Sequence, residues 1–153
     1  MRSYFILVIN TQNFKNGFVT KNTGKNMKQD LKNRNDVQML VSEFYKKVRE
    51  NKEIGFFFNN SIKNWDEHLE KLTDFWESNL FFVSKYSGNP QKAHIAVDVQ
   101  NNQQINAEHF GIWVNLWFET IDEHFEGELA QRAKNNARKM SSHLYLKIFQ
   151  NRG

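Results

Sequence analysis

The stretch Asp36-Val37-Gln38-Met39-Leu40-Val41-Ser42-Glu43-Phe44-Tyr45-Lys46-Lys47-Val48 decides the fold class. Its apolar residues Val37, Leu40, Val41, Phe44, Tyr45 and Val48 fall at i, i+3, i+4, i+7, i+8 and i+11, a spacing that lines one face of an α-helix. Asp36 is placed to cap the N-terminus of this helix and Gly55 to stop it. A second helix is expected from about Ile62 to Val83, with Trp65, Leu69, Leu72, Phe75, Trp76, Leu80 and Val83 on a broad apolar face. It should end before the turn cluster Ser87-Gly88-Asn89-Pro90. A third is expected from about Ile105 to Phe125, carrying Phe110, Trp113, Val114, Trp117 and Ile121. A fourth follows Gly127, with Leu129, Ala133, Ala137, Met140, Leu144 and Ile148. With no alternating strand pattern beside them, four helices make an all-α domain.

Upstream of this pattern, residues 1–35 hold many Asn, Lys, Thr and Gly without sustained periodicity. We therefore expect a poorly structured extension over 1–35 and one domain over 36–153. Met27 is a plausible alternative start, which would make residues 1–26 dispensable.

A chain of 153 residues is long enough to bury a single core without disulfide or metal staples. It has no cysteine, which excludes thiol catalysis, Cys-ligated zinc and iron–sulfur clusters. The net charge of +4 comes from charges interleaved by sign, as in Lys46 to Glu53, which suits a solvated helix face rather than a phosphate track. No nucleic-acid partner is expected. The apolar run Tyr4 to Ile9 is too short for a membrane span or a signal-peptide core. The expectation is a cytoplasmic protein, and nothing in the pattern demands more than a monomer.

The chain is rich in rings, with 14 Phe, 4 Trp and 4 Tyr. Three of them stand together in Gly55-Phe56-Phe57-Phe58-Asn59-Asn60, between the first two helices. Connections are normally polar, so these phenylalanines either plug the end of the bundle or fold over something flat and apolar. The histidines are His68, His94, His109, His124 and His143, and no two lie three to five residues apart, which argues against a helical two-histidine zinc site. There is no phosphate-cradling glycine loop and no Gly-x-Ser-x-Gly elbow.

A porphyrin needs no such spacing, because it brings four equatorial nitrogens and asks the protein for a single neutral imidazole. His94 lies just after the Gly88-Asn89-Pro90 turn, in the short segment between the second and third helices, where it can be aimed into the bundle. Tyr45 and His68 each put a polar tip on a largely apolar helix face. With the Trp113 N–H they could converge on one ligand.

The set Phe44-Tyr45-Lys46-Lys47-Val48-Arg49, Ile54-Gly55 through Phe58-Asn59, Trp65-Asp66-Glu67-His68, Phe75-Trp76, Tyr86-Ser87-Gly88-Asn89-Pro90 and His94 resembles the group III truncated hemoglobins of bacteria. So do His109-Phe110-Gly111-Ile112-Trp113, Trp117-Phe118-Glu119-Thr120 and Phe125-Glu126-Gly127, in the same order along the chain. The resemblance implies a shortened globin, a two-over-two helical sandwich around haem b. It implies His94 as the proximal iron ligand, Tyr45 and His68 as the distal pair, and Trp113 as a third group of the distal pocket. Phe58, or Phe57 in the neighbouring register, would pack on the porphyrin. Leu72, Phe75 and Trp76 would line the haem-facing side of the second helix, and Lys92 and Arg138 are candidates to pair the propionates. Two departures stand out: Ile95-Ala96-Val97-Asp98 and a polar run occupy positions where the family often shows Leu then Pro, and Phe56 replaces a frequent proline.

The function implied by the resemblance is reversible binding of dioxygen or related diatomic ligands. A haem enzyme acting on nitric oxide or peroxide is the alternative, and it would need an external reductase because the chain carries no reductase domain of its own. A cofactor-free helical interaction module is the remote third reading.

Overall fold

A computed structural model describes residues 27–153, so the expectations for residues 1–26 lie outside the described residues. It contains six helices: α1 (Arg34–Glu50), α2 (Gly55–Ser61), α3 (Trp65–Phe81), α4 (Pro90–Gln100), α5 (Ala107–His124) and α6 (Glu128–Arg152). Among the described residues no strand forms, only an isolated bridge between Gln29 and Phe125. The all-α expectation holds. Helix α1 packs on α3 and on α5, α5 packs on α6, and α4 lies along α6. The two pairs α1/α3 and α5/α6 make a two-over-two sandwich.

The apolar stripe of α1 is the centre of that sandwich. Val37, Leu40, Val41, Phe44 and Val48 are wholly buried. Phe44 meets Tyr45, Trp113 and Trp117 edge-on, with ring centroids 4.8, 5.3 and 4.9 Å away. Aromatic edges directed at faces are the favoured arrangement, worth about 0.5–1.5 kcal/mol per pair beyond burial. Trp117 is also buried completely, and its indole N–H donates to the Ala133 carbonyl at 3.2 Å, so its one polar atom is satisfied. The small residues Ala130, Ala133 and Ala137 make the facing surface of α6, which lets that helix approach the bulky rings of α5.

The structure corrects several boundaries. The cap of α1 is Asn33, whose side chain accepts from the Asp36 N–H at 3.2 Å; Asp36 sits in the first turn, and its carboxylate accepts from the Lys32 N–H at 2.8 Å. Folded chain therefore begins before residue 36. Leu31 is in the core, and the Asp30 carboxylate accepts from the N–H groups of Leu129 and Ala130, both at 2.8 Å, capping α6 from across the molecule. Gly127 itself carries no side chain to do so, and its φ of 150° suits glycine alone. The three phenylalanines stand in a helix rather than a loop. Gly55 does not stop α1, which ends at Glu50 with Asn51 as its C-cap; it opens the next helix, where a Cβ would meet the Arg49 carbonyl at 2.7 Å.

The largest difference concerns His94, which lies within helix α4 instead of a short connection. Asn89 caps α4 by accepting from the Lys92 N–H at 2.9 Å, and Pro90 occupies the first turn, where its missing N–H costs nothing. The turn cluster read from the sequence is thus also a helix start.

Candidate functional site

Helices α1 to α6 enclose a cavity of about 160 Å³ that opens to solvent. The walls are apolar apart from a few polar tips. Tyr45 comes from α1, Phe57, Phe58 and Ser61 from α2, His68 and Leu72 from α3, Ala93, His94 and Val97 from α4, His109, Phe110 and Trp113 from α5, and Ser141 and Leu144 from α6. Six of the residues singled out from the sequence, namely Tyr45, Phe58, His68, Leu72, His94 and Trp113, therefore line one space. Both Phe57 and Phe58 contribute to it, so the two registers weighed for that phenylalanine are both occupied by cavity-lining rings.

Two expected residues are elsewhere. Trp76 is in the core, 2% exposed and stacked on Trp117 at 4.5 Å, because it sits on the flank of α3 that faces α5. Phe75 packs edge-on between Trp76 and Tyr86 at 5.4 and 5.1 Å and is not among the residues lining the cavity. The guesses for propionate partners also fail to reach the wall. Arg138 lies over the Phe118 ring at 5.0 Å, and Lys92 is exposed on α4.

His94 is fixed by the start of its own helix. Its Nδ1 stands 2.6 Å from the Pro90 carbonyl oxygen. A carbonyl only accepts, so Nδ1 carries the proton and donates, leaving Nε2 as the unprotonated nitrogen with a free lone pair. Burial pushes the pKa of His94 down, against the pull of that same carbonyl, and so favours the neutral ring. A neutral imidazole oriented by a carbonyl on its other nitrogen is the arrangement found at metal-ligating histidines.

Tyr45 and His68 meet edge to face at 5.8 Å, and each also touches Trp65, with ring centroids 5.9 and 5.7 Å away. The Arg49 guanidinium lies over the Trp65 ring, 4.3 Å from its centroid, a cation–π contact that helps hold the indole in place. Burial drives the Tyr45 phenol pKa upward, with the Trp113 side chain opposing it, so the phenol keeps its proton and remains a donor. His68 is pushed down from 6.5 to about 4, chiefly by burial and next by the positive charge of Lys71. It too is neutral near pH 7. The cavity thus holds the neutral imidazoles of His68 and His94, a protonated phenol and an indole N–H among largely hydrocarbon walls, with His109, Ser61 and Ser141 as further polar groups and no Asp, Glu, Lys or Arg in the lining.

Sequence reasoning missed His109, whose ring meets Phe57 edge-on at 4.9 Å while its Nδ1 accepts from the Asn106 N–H at 3.1 Å. The signal was local: Asn106 and His109 form a reciprocal capping pair at the start of α5. Ser61 and Ser141 were missed as well. Ser61 Oγ is buried with no hydrogen-bond partner among the described residues, an atom left for whatever fills the space.

No family model matches the chain. It is, however, 32% identical over 121 residues to the group 3 truncated hemoglobin Ctb of Campylobacter jejuni, an overlap of 76% of this chain and 91% of that protein. The fold is similar to the crystal structure of the group III truncated hemoglobin from Campylobacter jejuni, with a TM-score of 0.71 and 29% identity over 80% of this chain and 95% of the other.

Proposed function

Because the chain belongs to the group III truncated hemoglobins, we propose that its cavity holds haem b ligated by His94 and that it binds dioxygen or another diatomic gas beside Tyr45, His68 and Trp113. The observation that carries this reading is the His94–Pro90 hydrogen bond, which fixes the tautomer with Nε2 uncommitted in the wall of an aromatic-lined space. The residues present fit a porphyrin in their chemistry: His94 offers one uncommitted imidazole nitrogen, Phe57 and Phe58 offer ring faces and edges, and no Asp, Glu, Lys or Arg lines the space. Haem held by His94 would supply an iron centre able to bind a diatomic gas.

The chain supplies the rest. His94 provides one neutral imidazole, aimed by Pro90. Tyr45 and Trp113 bring O–H and N–H donors into the same space, and His68 can donate or accept according to its tautomer. A gas molecule that gains partial negative charge on binding is favoured by such donors over a less polar one, each hydrogen bond to a charged group contributing about 1.5–3 kcal/mol. The hydrocarbon walls exclude water that would compete for those donors. Reversible gas binding needs no further component, whereas sustained turnover of nitric oxide would require an external electron donor.

Titrating haem-free protein with haem tests this reading. Saturation at one haem per chain, with a Soret band that shifts after dithionite and carbon monoxide, supports it. A featureless titration returns the cavity to an unassigned apolar site.

A further inference from the structure

Three tryptophans lead away from the cavity in unbroken contact. Trp113, in the cavity wall, lies parallel to Trp117 with ring centroids 6.3 Å apart and 6° between the planes. Trp117 stacks on Trp76 at 4.5 Å and 23°. From Trp76 the contact continues edge-on to Phe75 at 5.4 Å, and from Phe75 to Tyr86 at 5.1 Å.

The two ends of this series differ from its middle. Trp117 and Trp76 are 0% and 2% exposed, so the centre is dry. Tyr86 is only half-buried, on the segment between α3 and α4, and is held there by its backbone N–H donating to Ser78 Oγ at 3.1 Å. Its phenol tip lies over Gly88, where a Cβ would come within 2.3 Å of the oxygen. A glycine at that position therefore leaves room for the phenol to reach the surface.

Indole and phenol rings give up a single electron far more readily than aliphatic or phenylalanine side chains do. Packed ring against ring, they pass the resulting hole from one to the next. Phe75 is not itself oxidised; it spans one step between Trp76 and Tyr86. Core packing alone would explain buried indoles, but not an ordered series that starts at the cavity wall and ends at a half-exposed phenol.

We propose that Trp113, Trp117, Trp76 and Tyr86 conduct oxidising equivalents from the cavity to the surface, so that the protein oxidises bulky one-electron donors at Tyr86 while hydrogen peroxide is reduced inside. The inference rests on the haem reading above. In each step an indole gives one electron to the oxidant in the cavity and is refilled by its neighbour, until Tyr86 loses an electron and releases its phenolic proton to water. A donor D then returns one electron to the Tyr86 radical, and water returns the proton. Two such passages deliver two electrons, and two protons enter the cavity from solvent. The peroxide O–O bond breaks, and the balance is H2O2 + 2 D + 2 H+ → 2 H2O + 2 D•+.

The test is rapid-freeze electron paramagnetic resonance after mixing hydrogen peroxide with haem-loaded wild type, Tyr86→Phe and Trp76→Phe, alongside oxidation of the sulfonated dye ABTS. The wild type should give a tyrosyl signal. Tyr86→Phe should lose that signal and the dye oxidation while still reacting with the first equivalent of peroxide, and Trp76→Phe should lower the tyrosyl yield. Tyr86→Phe is a near-surface change that removes one oxygen, so it keeps the test valid if the core variant fails to fold. An unchanged tyrosyl signal in Tyr86→Phe overturns the relay, as does a haem-loaded wild type that consumes peroxide with no radical dependent on Tyr86. Absence of a Soret band in the loaded wild type overturns the haem reading and the relay together.

Discussion

Asp98, one helical turn beyond His94, is gripped by Arg152: Nη2 donates to Oδ1 at 2.6 Å and Nε to Oδ2 at 3.0 Å. The same guanidinium donates to the Ile105 carbonyl at 2.5 Å, and the Ile105 N–H donates back to Asp98 Oδ1 at 3.2 Å. The carboxylate is 2% exposed, so its charge depends on these partners. One residue near the end of α6 thereby ties down the helix that carries His94 and the segment leading into α5. Removing one member of a buried pair typically costs about 3–5 kcal/mol. Arg152→Met should therefore lower the urea midpoint strongly, and a change under about 0.5 kcal/mol, the level of a neutral surface substitution, would show that the clamp is not structural.

The Asp30 carboxylate performs a second long-range task by capping α6. Loss of an N-cap costs about 0.5–2 kcal/mol, so Asp30→Ala should destabilise by about that amount in thermal unfolding. Gly127→Ala should do at least as much, since a Cβ there meets Asp30 Cγ at 2.4 Å and the φ of 150° disfavours it. Equal stability of either variant with wild type would contradict the assigned cap.

Tyr45 is buried beside Trp113 and keeps its proton. With one charge-assisted bond worth about 1.5–3 kcal/mol, Tyr45→Phe should speed dioxygen dissociation about tenfold or more while changing carbon monoxide release less. Stopped-flow displacement measures both. An unchanged dioxygen off-rate would remove Tyr45 from ligand stabilisation.

The haem-free protein should lose stability in mild acid. His68 has a pKa of about 4 in the folded chain against 6.5 for the free side chain, so between those values the unfolded chain binds a proton that the folded chain refuses. Stability is then unaffected by His68 above pH 6.5 and falls as pH drops toward 4. His94, also shifted down, acts with the same sign. His68→Leu should flatten this part of the pH profile of the urea midpoint, and an identical slope in that variant would refute the burial argument.

The helix periodicity of α1, α3, α5 and α6 was legible because each buries a continuous stripe against another helix. Helix α4 was not, because Ala93, His94 and Val97 face a cavity instead of a packed core, so its pattern is half apolar and half mixed. Asn89-Pro90 carried the start signal, which reads equally well as a turn. Leu31 and Asp30 were missed because single anchors have no period. Trp76 was misplaced because the apolar face of α3 meets two different environments, with Leu72 at the cavity and Trp76 against Trp117, and spacing alone does not say which flank meets which. The converging side chains Tyr45, His68, His94 and Trp113 were legible from residue type and order, whereas the Nδ1 bond that orients His94 required the geometry of the α4 start.

The most direct test of His94 as the iron ligand is the visible spectrum of haem-loaded wild type beside His94→Gly, each reduced with dithionite, exposed to carbon monoxide, and, for the variant, supplemented with imidazole. The wild type should show a strong Soret band that shifts with carbon monoxide. In His94→Gly the band should be weakened and altered, and imidazole should restore the wild-type spectrum. A variant spectrum indistinguishable from wild type without imidazole would contradict the assignment, because the iron would then be held by a residue other than His94.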